Sequence, residues 1–272
     1  RSNQSYITMD DGIVDFGADV NFTMSAWVKP DLENSNWGRN TFMAEARFGN
    51  DGEWIFAFAG AGDTIWPRFR PYGRNELIVS GTPFEGDENP TKWMFLTTTG
   101  FTNSSGTTLK LYEEGVLVDT SFNETPWNMT DPGQAFRIGG LTVGITNWNG
   151  MIDKVEIWND TLSGDDILNV YNDGRKSTTK RNESLMVSQY LFDNSSEVRA
   201  IDSIGNNNGT FWKGANYSYE VLKAVGYWNF DGEVENTEGF TAYDWSSNNI
   251  DGTGINNAVA NSSDCIYGNC LQ

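Results

Sequence analysis

The chain holds 272 residues, enough for one large all-β domain or two smaller ones. Its formal charge of −19 argues against nucleic acid or an anionic membrane surface as a partner, since either would need a basic patch. With no histidine in the sequence, a Ser-His-Asp triad, a Cys-His pair and a histidine-held metal are excluded.

Glycine, asparagine, serine and threonine are abundant and helix formers sparse, which favours short strands joined by turns. No apolar run reaches the ~18 residues of a membrane-spanning helix. The N-terminus lacks a basic, apolar, then small-residue leader, so any export signal is expected to have been removed already.

The first strand signal lies at Tyr6-Ile7-Thr8-Met9, followed by Asp15-Phe16-Gly17. From Phe22 to Val28, Phe22, Met24, Ala26 and Val28 alternate with Thr23, Ser25 and Trp27, the period-two pattern of a strand with one buried face. Similar runs recur at Thr41 to Phe48, Trp54 to Ala59, Leu77 to Ser80, Lys92 to Thr98, Thr107 to Tyr112, Val116 to Ser121 and Phe136 to Gly139. Turn-forming clusters such as Gly49-Asn50-Asp51-Gly52 and Thr130-Asp131-Pro132-Gly133 separate them, and Glu113-Glu114-Gly115 reads as a hairpin turn. This spacing predicts a two-sheet sandwich.

A further strand is read within Gly144 to Asn159, with Val155 and Ile157 on one face and Asp153 expected on the same face. Leu162 to Gly174 is the one good helix: Ser163 caps it, Asp166 suits its first turn and Gly174 stops it. The polar, basic stretch after Gly174 reads as a linker. Tyr190-Leu191-Phe192-Asp193 with Asp202-Ser203-Ile204-Gly205-Asn206-Asn207-Asn208-Gly209-Thr210 is mirrored by Trp228-Asn229-Phe230-Asp231 with Asp244 to Thr253, an internal repeat.

Ser25-Ala26-Trp27-Val28-Lys29-Pro30, the segment Trp148 to Asn159, and Leu162-Ser163-Gly164-Asp165-Asp166-Ile167 followed by Tyr171-Asn172-Asp173-Gly174 resemble the laminin-G-like jelly rolls of the concanavalin A-like superfamily. The resemblance implies an all-β, two-sheet antiparallel jelly-roll sandwich with one short helix. It also implies an opening of the Tyr-Trp-x-Phe-Asp type, then Asp-x-Ser-x-Asn-x-x-Asp-Gly-Thr and Gly-Asn-x-Leu-Gln. Here those opening strands are displaced to the C-terminal end, and the second copy alone has the Gly268-Asn269-Cys270-Leu271-Gln272 ending. The expected organisation is a sandwich body over 1–174, a linker over 175–182, a first opening copy over 183–222 that packs on its own body, and a second copy over 223–272.

A sandwich without its opening strands exposes unpaired backbone and a strip of core. The sequence therefore predicts that residues 223–272 complete the next subunit, with Tyr227, Trp228, Phe230 and Ile250 entering its gap. Such a contact is head-to-tail and grows a fibre of copies of the chain. Two alternatives stay open: one period of a longer tandem array, or a permuted monomer whose tail returns to its own body.

Chemistry is sparse. No segment matches the paired-carboxylate pattern of this superfamily's glycosidases, and Asp51, Glu53, Glu113, Glu114, Asp165 and Asp166 fall in loops, a turn and a helix start, so the chain is expected not to be an enzyme. The resemblance implies a calcium ion, with Asp153 as ligand and Asp231 or Asp193 as its partner; an Asp beside a turn equally caps backbone N–H groups. Loop aromatics Trp37, Trp66, Tyr72, Trp127 and Trp148 suit glycan stacking or core plugging alike. The alternative function is therefore a glycan- or protein-binding adhesion module.

Cys265 and Cys270 are expected to form a local disulfide, implying an oxidising compartment. Acceptor patterns for N-linked glycans begin at Asn3, Asn21, Asn103, Asn123, Asn128, Asn159, Asn182, Asn194, Asn208, Asn216 and Asn261. Together they predict an extracellular, cell-surface glycoprotein.

Overall fold

The structure, a computed structural model, describes residues 5–9, 14, 16–17, 21–30, 40–46, 52–61, 64–72, 77–85, 92–129, 133–141, 148–175, 184–193, 199–212 and 215, with four two-residue strands between 241 and 271. These residues belong to two compact units, Arg1–Ser218 and Tyr219–Gln272.

Short runs of alternating apolar residues become the strands of the first unit. In chain order they are β1 (Tyr6–Thr8), β2 (Asn21–Pro30), β3 (Asn40–Glu45), β4 (Trp54–Ala61), β5 (Thr64–Pro71), β6 (Val79–Ser80), β7 (Phe84–Glu85), β8 (Met94–Asn103), β9 (Gly106–Glu113) and β10 (Val116–Asn123). β11 (Arg137–Ile138) and β12 (Gly150–Trp158) follow, then the helix α1 (Gly164–Asn172), β13 (Met186–Tyr190), β14 (Arg199–Ala200) and β15 (Gly209–Trp212).

They form two antiparallel sheets of a jelly-roll sandwich. One has nine strands in the order β14-β15-β1-β11-β3-β4-β5-β6, with β7 also on β5; the other has six, in the order β10-β9-β8-β2-β12-β13. Phe22, Met24, Ala26 and Val28 of β2 face Trp54, Phe56 and Phe58 of β4 across a single core. Its aromatic rings interlock, Phe42 against Phe56 with centroids 4.5 Å apart and Phe22 edge-on to Trp127 at 6.2 Å.

On its other face the six-stranded sheet carries α1, which buries Ile167 and Val170 against Phe95, Tyr112, Trp158 and Met186. As its sequence predicts, Ser163 caps this helix in a capping box with Asp166. Between β9 and β10 the two-residue turn Glu114-Gly115 has positive φ at both positions, 51° and 80°, which matches the twist of a hairpin.

Two sequence expectations change. β5 was not foreseen, because Pro67 and Pro71 argue against a strand. The prolines are accommodated because β5 pairs fully with β4, while β6 and β7 meet it only at Arg68–Phe69 and Thr64–Ile65. Asp153 does not share a face with Val155 and Ile157. An extra residue in β12 between Asp153 and Glu156, with Lys154 at φ 43°, forms a bulge that returns Asp153 to the helix side, opposite Trp27.

The body is completed from within its own chain. β13 pairs with β12, so β12 is bonded on both sides, and β15 pairs with β1, so β1 is bonded on both sides. Fibre growth by residues 223–272 thus finds neither β1 nor β12 with an open edge. The repeated motif explains this closure: Asp202 Oδ1 accepts from the backbone N–H groups of Gln189, Ile204 and Gly205 at 3.0–3.1 Å. Gly209 lies so close to Ile7 that a Cβ would meet its Cγ2 at 2.4 Å.

In the second unit, β16 (Thr241–Ala242) pairs with β17 (Gly252–Thr253) and β18 (Ala260–Asn261) with β19 (Cys270–Leu271). Ala242 sits opposite Gly252 as Ala200 sits opposite Gly209, so the internal repeat is also a repeat of hairpin register.

Candidate functional site

The outer face of the nine-stranded sheet gathers aromatic rings and guanidinium groups. Pleating sends Trp54, Phe56 and Phe58 inward, while Ile55 and Ala57 join Ala44, Leu141 and Tyr72 in a small buried apolar cluster on the sheet's opposite side. Beside this floor β5 alternates buried Ile65, Pro67, Phe69 and Pro71 with half-exposed Thr64, Trp66, Arg68 and Arg70. At the other end, Tyr6 of β1 lies opposite Trp212 of β15, and the two rings stack with centroids 6.2 Å apart and planes 18° apart.

Trp212 is 47 % exposed, so its indole face is open to solvent. Arg137 lies over the Tyr6 ring at 5.2 Å, and Arg70 over the Tyr72 ring at 5.3 Å. Burial lowers the Arg137 guanidinium from its ordinary value, with Tyr6 acting the other way, but an arginine remains cationic throughout the physiological range. A sugar ring presents an apolar face and polar edges; a shelf of exposed indole beside fixed donors matches both.

Of the aromatics proposed for glycan stacking, Trp66 lies on this face, Tyr72 is buried beneath Arg70, and Trp127 and Trp148 pack in or against the core. Trp37 lies outside the described residues. Tyr6 and Trp212 were missed. Each belongs to a short strand, and only their cross-strand register brings them together. The tryptophan two residues beyond the Gly209-Thr210 end of the repeated motif was the available signal.

Asp153 does come near Asp193, but in cationic company. Asp153 Oδ2 accepts from Arg175 at 2.8 Å and Oδ1 accepts from the Lys154 N–H at 2.8 Å, while Lys154 Nζ donates to the Gly174 carbonyl at 3.0 Å. Arg175 also lies 4.1 Å over the Trp93 ring. Burial pushes the Asp153 carboxyl up to about 6 despite Arg175, and also raises Asp193, which Lys154 and Arg175 pull back down. A calcium ion needs six to eight oxygens, and two carboxylates already opposed by a lysine and an arginine do not fit that need. Among the described residues there is no group of three candidate metal ligands, and Asp231 lies outside them.

Asn103, Asn128 and Asn159 are exposed, Asn123 and Asn208 half-buried, and Asn21 half-buried at the start of β2. Asn3, Asn182, Asn194 and Asn216 fall outside the described residues, as do the side chains of Asn261, Cys265 and Cys270 and the proposed contacts Tyr227, Trp228, Phe230 and Ile250. Asp165 and Asp166 occupy the first turn of α1, and Glu114 the hairpin. None of these carboxylates forms an inward-facing catalytic pair.

A family model described as the Concanavalin A-like lectin/glucanases superfamily matches residues 1–168. The chain belongs to this superfamily. Its match ends before β13, β14 and β15, the strands that close the sandwich. Among solved structures, the superfamily member described here is similar to a Bacteroides ovatus protein named for carbohydrate binding. They share a TM-score of 0.56 and 20 % identity over 77 % of this chain and 56 % of that one. The chain thus spans about half of that protein's length. It is also similar to the heptameric SAP-like pentraxin of Limulus polyphemus, with a TM-score of 0.51 and 13 % identity over 75 % of this chain and 91 % of that one. At these identities the likeness is one of fold. No curated protein matches the sequence. Among the described residues no helix is long and apolar enough to cross a membrane.

Proposed function

We propose that the chain is a lectin-like, glycan-binding module whose ligand lies on the outer face of the nine-stranded sheet. One observation carries the reading: Trp212, half in solvent, stacked on Tyr6, whose ring also lies under Arg137. The resemblance in fold to a protein named for carbohydrate binding supports it. The module has no reaction of its own in this reading, and its acceptor asparagines suit an extracellular, cell-surface setting.

A glycan array probed with the wild-type chain, W212A and W66A tests the proposal. Wild type is expected to give discrete hits that W212A weakens at least tenfold. Hits that both variants retain at full strength would refute this site; an array without hits would refute glycan binding.

Head-to-tail assembly into a fibre has no support from a body closed by its own β13 and β15. Were the chain to polymerise nonetheless, sedimentation would show mass growing with concentration, and a form truncated before residue 223 would not show it.

A further inference from the structure

Four of the five arginines among the described residues, Arg68, Arg70, Arg137 and Arg199, fall on strands of the nine-stranded sheet at outer-face positions, in a chain whose net charge is −19. Arg175, the fifth, belongs to the other side of the molecule with Asp153. Three of the four share one cross-strand row. Arg199 is opposite Thr210, Thr210 opposite Thr8, and Thr8 opposite Arg137. Arg137 is opposite Ala44, Ala44 opposite Ile55, and Ile55 opposite Arg70.

Arginine therefore recurs at every third strand, a repeat of roughly 14 Å at the usual spacing between strands. The row holds no acidic residue; it is open from Arg199 through Thr210 and Thr8 to Arg137, whereas Ala44 and Ile55, between Arg137 and Arg70, are each 1 % exposed and covered. Alongside it run Trp212 and Tyr6 at one end and Arg68 at the other. Elsewhere the molecule's charge repels a polyanion, so a guanidinium row beside a ring shelf selects where such a polymer can lie. Each guanidinium is a fork that matches carboxylate or sulfate oxygens, which neutral sugars lack.

Resting on the glycan-binding reading, we propose that the ligand is a linear acidic polysaccharide, bearing carboxylate or sulfate groups, that runs across the strands along Arg199 and Arg137. Its sugar rings lie against Tyr6 and Trp212, and its charges meet the arginines at intervals.

Affinity electrophoresis and calorimetry of the full chain with polygalacturonate, dextran sulfate and uncharged dextran test this. One charged polymer is expected to bind, which also tells carboxylate from sulfate, while dextran does not. R137Q and R199Q each weaken binding about tenfold, raised salt weakens it further, and K110Q on β9 of the other sheet leaves it unchanged. R199Q alters an exposed position on the short edge strand β14 and keeps the test valid if R137Q melts early. Equal binding of charged and uncharged polymers, or wild-type affinity in R199Q and R137Q, overturns the acidic class while leaving glycan binding intact. Hits on neutral array glycans lost in W212A, with no charged polymer bound, do the same; no binding to any glycan ends both readings.

Discussion

The Tyr190 hydroxyl donates to the Asn207 carbonyl at 2.6 Å, tying the strand that closes one sheet to the turn that leads into the other. Asp202 stands at the centre of that turn, buried, with Oδ1 taking three backbone N–H groups and Oδ2 near the Asn207 N–H at 3.3 Å. Removing it orphans several donors at once, each a loss of about 1 to 3 kcal/mol. D202A is expected to lower stability by about 2 to 4 kcal/mol in urea denaturation, and Y190F by about 1 kcal/mol. Equal midpoints for wild type and D202A would show that the turn is held by packing alone.

Truncation tests the closure of the body in cis. Tyr190 and Met186 are buried and Phe211 packs on the core; losing the three forfeits about 5 to 9 kcal/mol of burial and opens the edges of β1 and β12. A chain ending after 215 is expected to melt cooperatively, whereas one ending after 175 is expected to aggregate. Cooperative melting of the shorter form would mean that β13 to β15 are dispensable.

Asp153 gives a pH dependence of definite sign. Its carboxyl is raised in the fold from 3.8 to about 6, chiefly by burial. The fold thus favours the protonated acid, so this group's contribution is fully present below 3.8 and is lost as pH rises through about 6. That contribution is about 3 kcal/mol. D153N is expected to flatten the decline across this window, and R175Q, which removes the opposing cation, to push the Asp153 midpoint higher still. Urea denaturation across this pH window reads the first and carboxyl NMR titration the second; an Asp153 midpoint near 4 would refute the assignment.

The acceptor asparagines should differ in occupancy. Asn103 and Asn123 each accept, through the side-chain oxygen, from the N–H two residues on, holding the tripeptide in an exposed turn at one end of β8 and β10. At Asn21 the partner Thr23 is buried, donating to the Asp160 carbonyl and accepting from the Leu162 N–H. Peptide mass spectrometry of material from a glycosylating host is expected to find sugar on Asn103 and Asn123 and none on Asn21. Sugar on Asn21 would contradict the placement of Thr23.

The fold was largely legible in the sequence because its signals are local. Phe22 to Val28 alternates, Ser163 and Asp166 cap a helix, and Glu114-Gly115 turns a hairpin. The superfamily resemblance rested on such segments and the family match agrees with it. What escaped depends on events that leave no local mark. The bulge at Lys154 reverses the face of Asp153, and β5 tolerates prolines only where its outer partners leave a gap. The Tyr6–Trp212 shelf and the arginine row exist only through register between strands far apart in sequence.

That β1 lies between β11 and β15 bears on how the molecule is made. The body's first strand acquires its second neighbour only when residues beyond 208 have left the ribosome. Until then a nascent chain carries a cleft with bare backbone on either lip, a state prone to mispairing with a neighbouring chain. Slow, chaperone-sensitive maturation is the cost of a lid encoded after the box it closes.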